Sequence, residues 1–412
     1  MSLRALSPVA ALLLSAAILL SGQGLQFTLL PVRASLENFS TLAIGMMAAA
    51  YFFGFTVGCL KSGKLLRRVG HIRVFLAMSA IASAAPLIHG LVVEPVVWGV
   101  LRFLTGFCLA SLYIVIESWL NERSTNANRG LVFSTYSMIT LTMMAAGQMM
   151  NLLYNPSGLQ LFVIASILFS IGAVPIALSD SPSPDQPAST KTDIRKLFHT
   201  SPSGTVGCFA VGLANGAFWG LAPVYASAIG DAVTIAPWFM AAAIIGGAIL
   251  QWPLGLLSDS LGRRKILVAV CLLGSAAGLA LALLAPHFGV VSVIVLGGVW
   301  GAFAFPLYSI VVAYANDYAD HGDYVKVSAG LLLVYGIGAI IGPFVASALI
   351  TIRGGDGLFL FTAAVHILLI GFVAYRFFKE GSQADQPIAF GDALSAAQTA
   401  SQVYEEELQE EQ

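Results

Sequence analysis

The chain has 412 residues, of which 58% are hydrophobic and only 10% charged, against about 25% charged in an ordinary soluble domain. That balance excludes a water-soluble globule and points to an all-α membrane protein, since a bilayer is crossed by helices of roughly 20 apolar residues. The formal net charge of −1 indicates no partner by itself, and no nucleic acid is expected.

Taken in chain order, twelve stretches have the length and apolarity of spans: 9–31, 42–60, 72–93, 95–118, 130–153, 159–178, 203–227, 236–257, 266–285, 290–315, 325–350 and 357–378. The first follows Arg4 and runs "ALLLSAAILLSGQG", which looks like a signal peptide, but no A-x-A-like cleavage site follows and a retained helix is expected. With both termini on one side, 17 of the 20 Lys and Arg fall on that side; Arg33 and Arg353 lie opposite and Arg102 lies within a span. The excess places both termini in the cytoplasm and the chain in a cytoplasmic (inner) membrane. Cys59, Cys108, Cys208 and Cys271 sit singly in four spans, as apolar packing residues. Neither a disulfide framework nor a metal site is expected.

Residues 1–178 and 203–380 read as two copies of one six-helix unit. "GLQFTLLPVRAS" at 24–35 aligns with "GAFWGLAPVYAS" at 216–227 at an offset of 192. The same offset pairs Gly54 with Gly246 and lays "GKLLRRVGHIR" at 63–73 on "GLLSDSLGRRK" at 255–265. Farther on the offset is 195, pairing Gly106 with Gly301, Tyr113 with Tyr308 and Asn121 with Asn316. Six is even, so the copies run parallel, an arrangement that encloses a site near mid-membrane. The linker, 179–202, opens with "SDSPSPDQPAST", too polar to bury a core. Its "DIRKLFH" sets Ile194, Leu197 and Phe198 on one face of a short interfacial helix. The tail, 381–412, is polar and ends acidic, in "YEEELQEEQ".

Over residues 5–380 these features resemble the major facilitator superfamily. "GLLSDSLGRRK" is similar to that family's short loop motif, through Gly255, Asp259, Gly262, Arg263 and Arg264, and Arg102 with Gly106 resembles its fourth-helix pattern. "ESWLNERS" at 117–124 resembles a YcaD-like branch. The resemblance implies a transporter working by alternating access. Two departures stand out: Arg67 occupies the aspartate position of the first loop copy, and the fifth span lacks the Gly-Pro motif of drug/proton antiporters, while Gly338, Gly342 and Pro343 place a Gly-Pro pattern in the eleventh.

A charge in the fourth span is the sharpest functional signal. An arginine inside a membrane helix costs on the order of 3 kcal/mol on insertion scales and turns toward the bundle interior or water. At 100° per residue Gly106, Tyr113 and Glu117 share the face of Arg102. Two readings stand: Arg102 attracts an anionic or zwitterionic solute, or it pins the fourth helix to Gln23 or Gln26 of the first. Tyr136, Thr140 and Met143 extend the cavity along the fifth span, where five of the ten methionines lie; Asn215 and Trp219 hold in the seventh the places of Gln23 and Phe27. Trp300, Tyr308 and Tyr335 complete the candidate site.

Pseudo-symmetry sets Arg67 and Arg68 against Asp317, Asp320 and Asp323, and Asp259, beside Arg263 and Arg264, against Arg123 and Arg129. With Glu117 at the mouth, these charges form a candidate gate. No span carries a mid-membrane carboxylate, so a proton or other coupling ion has no evident carrier. Nothing resembles a nucleophile with its base or a phosphate cradle, so neither an enzyme nor a cofactor is expected. The sequence therefore indicates a monomeric secondary transporter of a small organic solute. An exporter of amphiphiles is the alternative within transport, and a transporter-like sensor or scaffold acting through the acidic tail is the alternative outside it.

Overall fold

A computed structural model describes residues 9–124, 129–178, 194–319, 324–380 and 390–391, and among them every regular element is a helix. Twelve helices are long and apolar enough to cross a bilayer: α1 Ala10–Leu36, α2 Thr41–Val69, α3 His71–Leu91, α4 Pro95–Glu122, α5 Gly130–Leu152, α6 Gln160–Ala177, α7 Pro202–Ser227, α8 Val233–Leu261, α9 Arg263–Leu283, α10 Val290–Asn316, α11 Lys326–Arg353 and α12 Gly357–Phe378. Helices satisfy every backbone group within the segment, which lipid requires. The side of the bundle where α6 ends and α7 begins is called the linker face below, and the opposite side the far face.

Several helices outrun the hydropathy that predicts them. The stretch expected at 42–60 continues to Val69, and that at 236–257 to Leu261. Hydropathy stops at the first charges, whereas the hydrogen-bond ladder continues until the backbone must turn. It turns at Gly70 (φ 91°) and Gly262 (φ 93°), pseudo-equivalent positions in a region that side chains with a Cβ rarely enter. The tenth span is not continuous: Val290–Ala304 and Pro306–Asn316 are separate helical runs, because Pro306 has no N–H for the ladder. Phe305 sits at the break.

The repeat is visible as packing. Gly54 lies against the carbonyl of Phe103, and Gly106 against that of Tyr51, leaving no room for a Cβ between α2 and α4. Gly246 and Gly301 make the equivalent contacts with Gly298 and Ala243 between α8 and α10. Gly24 and Gly147 bring α1 onto α5, as Gly216 and Gly342 bring α7 onto α11. Without a hydrophobic drive between helices in lipid, such close backbone approach supplies the packing. Gly342, part of the Gly-Pro pattern of α11, is thereby a packing residue.

The two six-helix repeats meet along α2 and α11, α5 and α8, and α1 and α7. Near the far face Gly45 abuts Ser347 and Pro343, and Ala48 fills the space beside Gly220. Leu29, Leu30, Ile44 and Met47 share one buried cluster with Leu221, Tyr225, Met240 and Ile350 of the second repeat. This apolar cluster spans the two repeats toward the far face. In the linker, Ile194–Thr200 is helical; Leu197 is buried while Phe198 is 45% exposed.

Candidate functional site

Arg102 lies two turns into α4, where the contact of Gly106 with α2 brings Tyr51 within reach. Its guanidinium carbon is 4.2 Å from the centroid of the Tyr51 ring and 5.5 Å from that of Phe27. The side chain is 6% exposed, and among the described residues no carboxylate or hydrogen-bond acceptor engages it. The rings stabilise the cation by about 0.5–2 kcal/mol and use none of its N–H donors.

A hydrogen-bonded chain fixes the tyrosine. Gln23 Nε2 donates to the Tyr51 hydroxyl at 2.9 Å, and the Tyr113 hydroxyl donates to Gln23 Oε1 at 2.8 Å. One amide therefore ties α1 to α2 and α4. Gln23 is committed to tyrosines, so it does not pin Arg102. Gln26 is buried, and its Nε2 finds no partner among the described residues.

The second repeat faces this cation with aromatic and neutral polar groups. Phe27 and Trp219, which hold equivalent positions in α1 and α7, meet with centroids 5.0 Å apart. Trp219 stacks on Phe305 at 5.4 Å, so the break in α10 presents a ring at the interface of the repeats. Asn215 is buried in α7, and the Tyr335 ring packs edge-on against Tyr308 at 5.0 Å. The arrangement sets a cation on α4 opposite aromatic and neutral polar groups on α7 and α11.

Other expected site residues are placed differently. Trp300 is fully buried and stacks on Phe218 at 4.5 Å, which makes it a core residue of the second repeat. The Thr140 hydroxyl bonds the Tyr136 carbonyl within α5 at 2.8 Å, so it is occupied by its own helix. The Tyr136 hydroxyl reaches Glu117 only at 3.5 Å, and Met143 is half-buried in packing of the first repeat. Arg33 pairs with Glu37 at 2.7 Å and bonds the Pro156 carbonyl, a far-face clamp. Tyr51 and Phe305 were not among the expected residues; a tyrosine in an apolar helix and the ring before Pro306 were the signals available.

At the linker face Arg263 gathers two carboxylates within the second repeat. Arg263 Nε bonds Asp317 Oδ2 at 2.7 Å, with both side chains buried, and its Nη1 bonds Asp259 Oδ1 at 2.9 Å. Asp259 and Asp317 are thus both engaged by Arg263, in addition to whatever the expected first-repeat partners supply. Arg67 and Arg123 are half-buried and Arg68 is exposed. Arg264 lies over the Phe377 ring at 4.9 Å. Asp320, Asp323 and the side chain of Arg129 lie outside the described residues.

A family model described as Major Facilitator Superfamily matches residues 12–230 and 204–405. The MFS-type transporter YcaD of Salmonella newport is 29% identical over 369 residues, covering 88% of this chain and 93% of its own. YcaD of Salmonella typhi is 30% identical over 350 residues, covering 83% and 89%. Among solved structures, the nucleoside transporter NupG superposes with a TM-score of 0.77 at 14% identity, over 90% of this chain and 98% of that one. A bacterial homolog of the human lysosomal transporter Spinster, inward-facing and occupied, gives 0.71 at 15% identity, over 90% and 95%. At these identities the two structures share the fold with this chain.

Proposed function

The chain belongs to the Major Facilitator Superfamily and is a multi-pass secondary membrane transporter; on that premise we propose that it moves a small organic anion or zwitterion by alternating access. The solute sits between Arg102 on α4 and the Trp219, Asn215 and Tyr335 group of the second repeat. The linker face lies in the cytoplasm, following the positive charges, so the apolar cluster between the repeats lies toward the outside. The observation that carries the reading is Arg102: a buried cation over two rings, with no acceptor among the described residues. A structural arginine would be expected to hold backbone or side-chain acceptors, because hydrogen bonds to a charged group contribute about 1.5–3 kcal/mol each. An anionic solute supplies those acceptors in bidentate geometry.

Thermal melts of the purified protein and of Arg102→Ala, in the presence of carboxylates, phosphates, neutral solutes and cations, test the reading. A ligand at 100 times its dissociation constant adds about 2.7 kcal/mol of stability. Stabilisation of the parent alone by anionic solutes is the expected result. Equal stabilisation of both by cationic or apolar compounds would overturn it in favour of amphiphile export, for which the Phe27, Trp219 and Phe305 rings would form the binding wall.

The linker-face charges are proposed as the gate, exchanging partners as the repeats rock. Arg67→Asp should impair transport and Arg67→Asp with Asp320→Arg should restore it; a double variant as impaired as the single one removes the cross-repeat pairing.

A further inference from the structure

One described residue of the tail is buried against the bundle. Phe390 lies ten residues beyond Glu380, the last residue of the helical run that contains α12, yet it is 1% exposed. Its ring covers Gly255 of α8 so closely that a Cβ there would overlap the ring atoms. Its backbone N–H donates to Asp259 Oδ2 at 3.1 Å. It joins the buried cluster that also contains Leu254, Ile266 and, from the linker helix, Leu197.

Two features make this a built socket rather than incidental contact. Gly255 is the first glycine of the loop "GLLSDSLGRRK", and its missing side chain is the space the ring occupies. The second is the carboxylate, whose two oxygens are divided: Oδ1 is held by Arg263 and Oδ2 by the Phe390 N–H. Arg263 in turn holds Asp317 at the end of α10. Phe390 therefore touches the α8–α9 turn, which Arg263 ties to the end of α10, on the face where the repeats must approach and part during transport. The surrounding tail is polar, "SQADQPIAFGDALS", and Ile388 and Phe390 are its first large apolar residues after the spans, as a tethered docking segment requires.

We propose that the segment around Phe390 is an intramolecular latch. Its ring binds the Gly255 socket, its backbone occupies Asp259 Oδ2, and the docked tail holds the α8–α9 turn in the state described above. Release of the tail exposes the socket and frees Asp259 Oδ2 to accept from cations of the first repeat, so undocking favours closure of the linker face. The latch acts on the conformational equilibrium and is independent of which solute is carried.

The test uses full-length protein in lipid nanodiscs with spin labels on cysteines introduced at Arg68 and Lys265, one in each repeat at the linker face. Distance distributions and the rate of proteolytic cleavage in the tail are compared for the labelled parent, Phe390→Ala, Phe390→Leu and Gly255→Leu. The latch predicts that Phe390→Ala and Gly255→Leu both speed tail cleavage at least tenfold and raise the population with the shorter distance several-fold. Phe390→Leu, which keeps an apolar group in the socket, stays close to the parent. Parent-like cleavage and distances in Phe390→Ala would overturn the docking. Faster cleavage with an unchanged distance distribution would overturn the coupling. Gly255→Leu also disturbs α8 directly, so Phe390→Ala, whose change lies outside the helical bundle, is the deciding variant.

Discussion

Position 102 in the first repeat corresponds to position 297 in the second, and the two are filled in opposite ways. The first has Arg102 lying on Tyr51; the second has Gly297, whose open side is filled by the Phe239 ring. The backbones around them match contact for contact, with Gly106 on Tyr51 mirrored by Gly301 on Ala243. The scaffold is thus duplicated while the chemistry is not: one repeat supplies a cation, the other aromatic and neutral polar groups. The linker-face loops differ in the same sense. The second repeat has Asp259, Arg263 and Asp317 joined in a buried charge cluster, and the first has Arg67, His71 and Glu122 at the corresponding places. An asymmetric pair of walls can hold an asymmetric solute in one orientation, which two identical walls could not.

The loop difference should be the largest in stability. Arg263→Gln removes the cation from a buried pair with Asp317 and should cost about 3–5 kcal/mol, more than Arg67→Gln at the half-buried equivalent position of Asp259; unfolding curves in detergent measure both, and equal losses would break the comparison. Next, Arg102→Ala should weaken binding of an anionic solute roughly 30- to 150-fold, or about 2–3 kcal/mol, with Arg102→Lys in between because an ammonium lacks the bidentate fork. Arg102→Met should fold with undiminished thermal stability, since a buried cation is itself costly. The shared scaffold predicts equality instead: Gly54→Val and Gly246→Val should each destabilise by about 1–3 kcal/mol through overpacking, and a neutral outcome at either one would deny that the repeats pack alike. Smallest of all, Tyr51→Phe removes the hydroxyl held by Gln23 but keeps the ring under Arg102. Its expected cost is about 1 kcal/mol of stability, with solute affinity within about threefold of the parent.

The twelve helices and the duplication were legible because hydropathy and an offset of 192 to 195 are properties of the chain alone. Arg102 was legible for a related reason: a charge in an apolar span stands out, and helical periodicity names the residues on its face. Tyr51 was not, because choosing which ring lies under the guanidinium requires knowing that Gly106 draws α4 onto α2. Trp300 illustrates the reverse error. Its sequence position suited a cavity wall, and only the neighbouring Phe218 ring decides that it packs inward. The pairing of Arg263 with Asp259 and Asp317 was not legible, because pseudo-symmetry says which loops can meet and leaves open which partners lie within one repeat; Arg263 lies four residues from Asp259 and bonds it there. Phe390, 131 residues from Asp259 in the chain, gave no local signal beyond being an aromatic in a polar tail.

The central claim is that Arg102 binds the charge of the solute. Its most direct test is a binding cycle: the tightest carboxylate from the thermal panel and its uncharged primary amide, each titrated calorimetrically into the parent and into Arg102→Ala. The account predicts that the parent prefers the carboxylate by at least 30-fold and that this preference falls below about threefold in the variant, a coupling of roughly 1.4 kcal/mol or more, at 1.4 kcal/mol per factor of ten. A preference that survives intact in Arg102→Ala would contradict it, and would assign the arginine to the scaffold and the solute's charge to another residue.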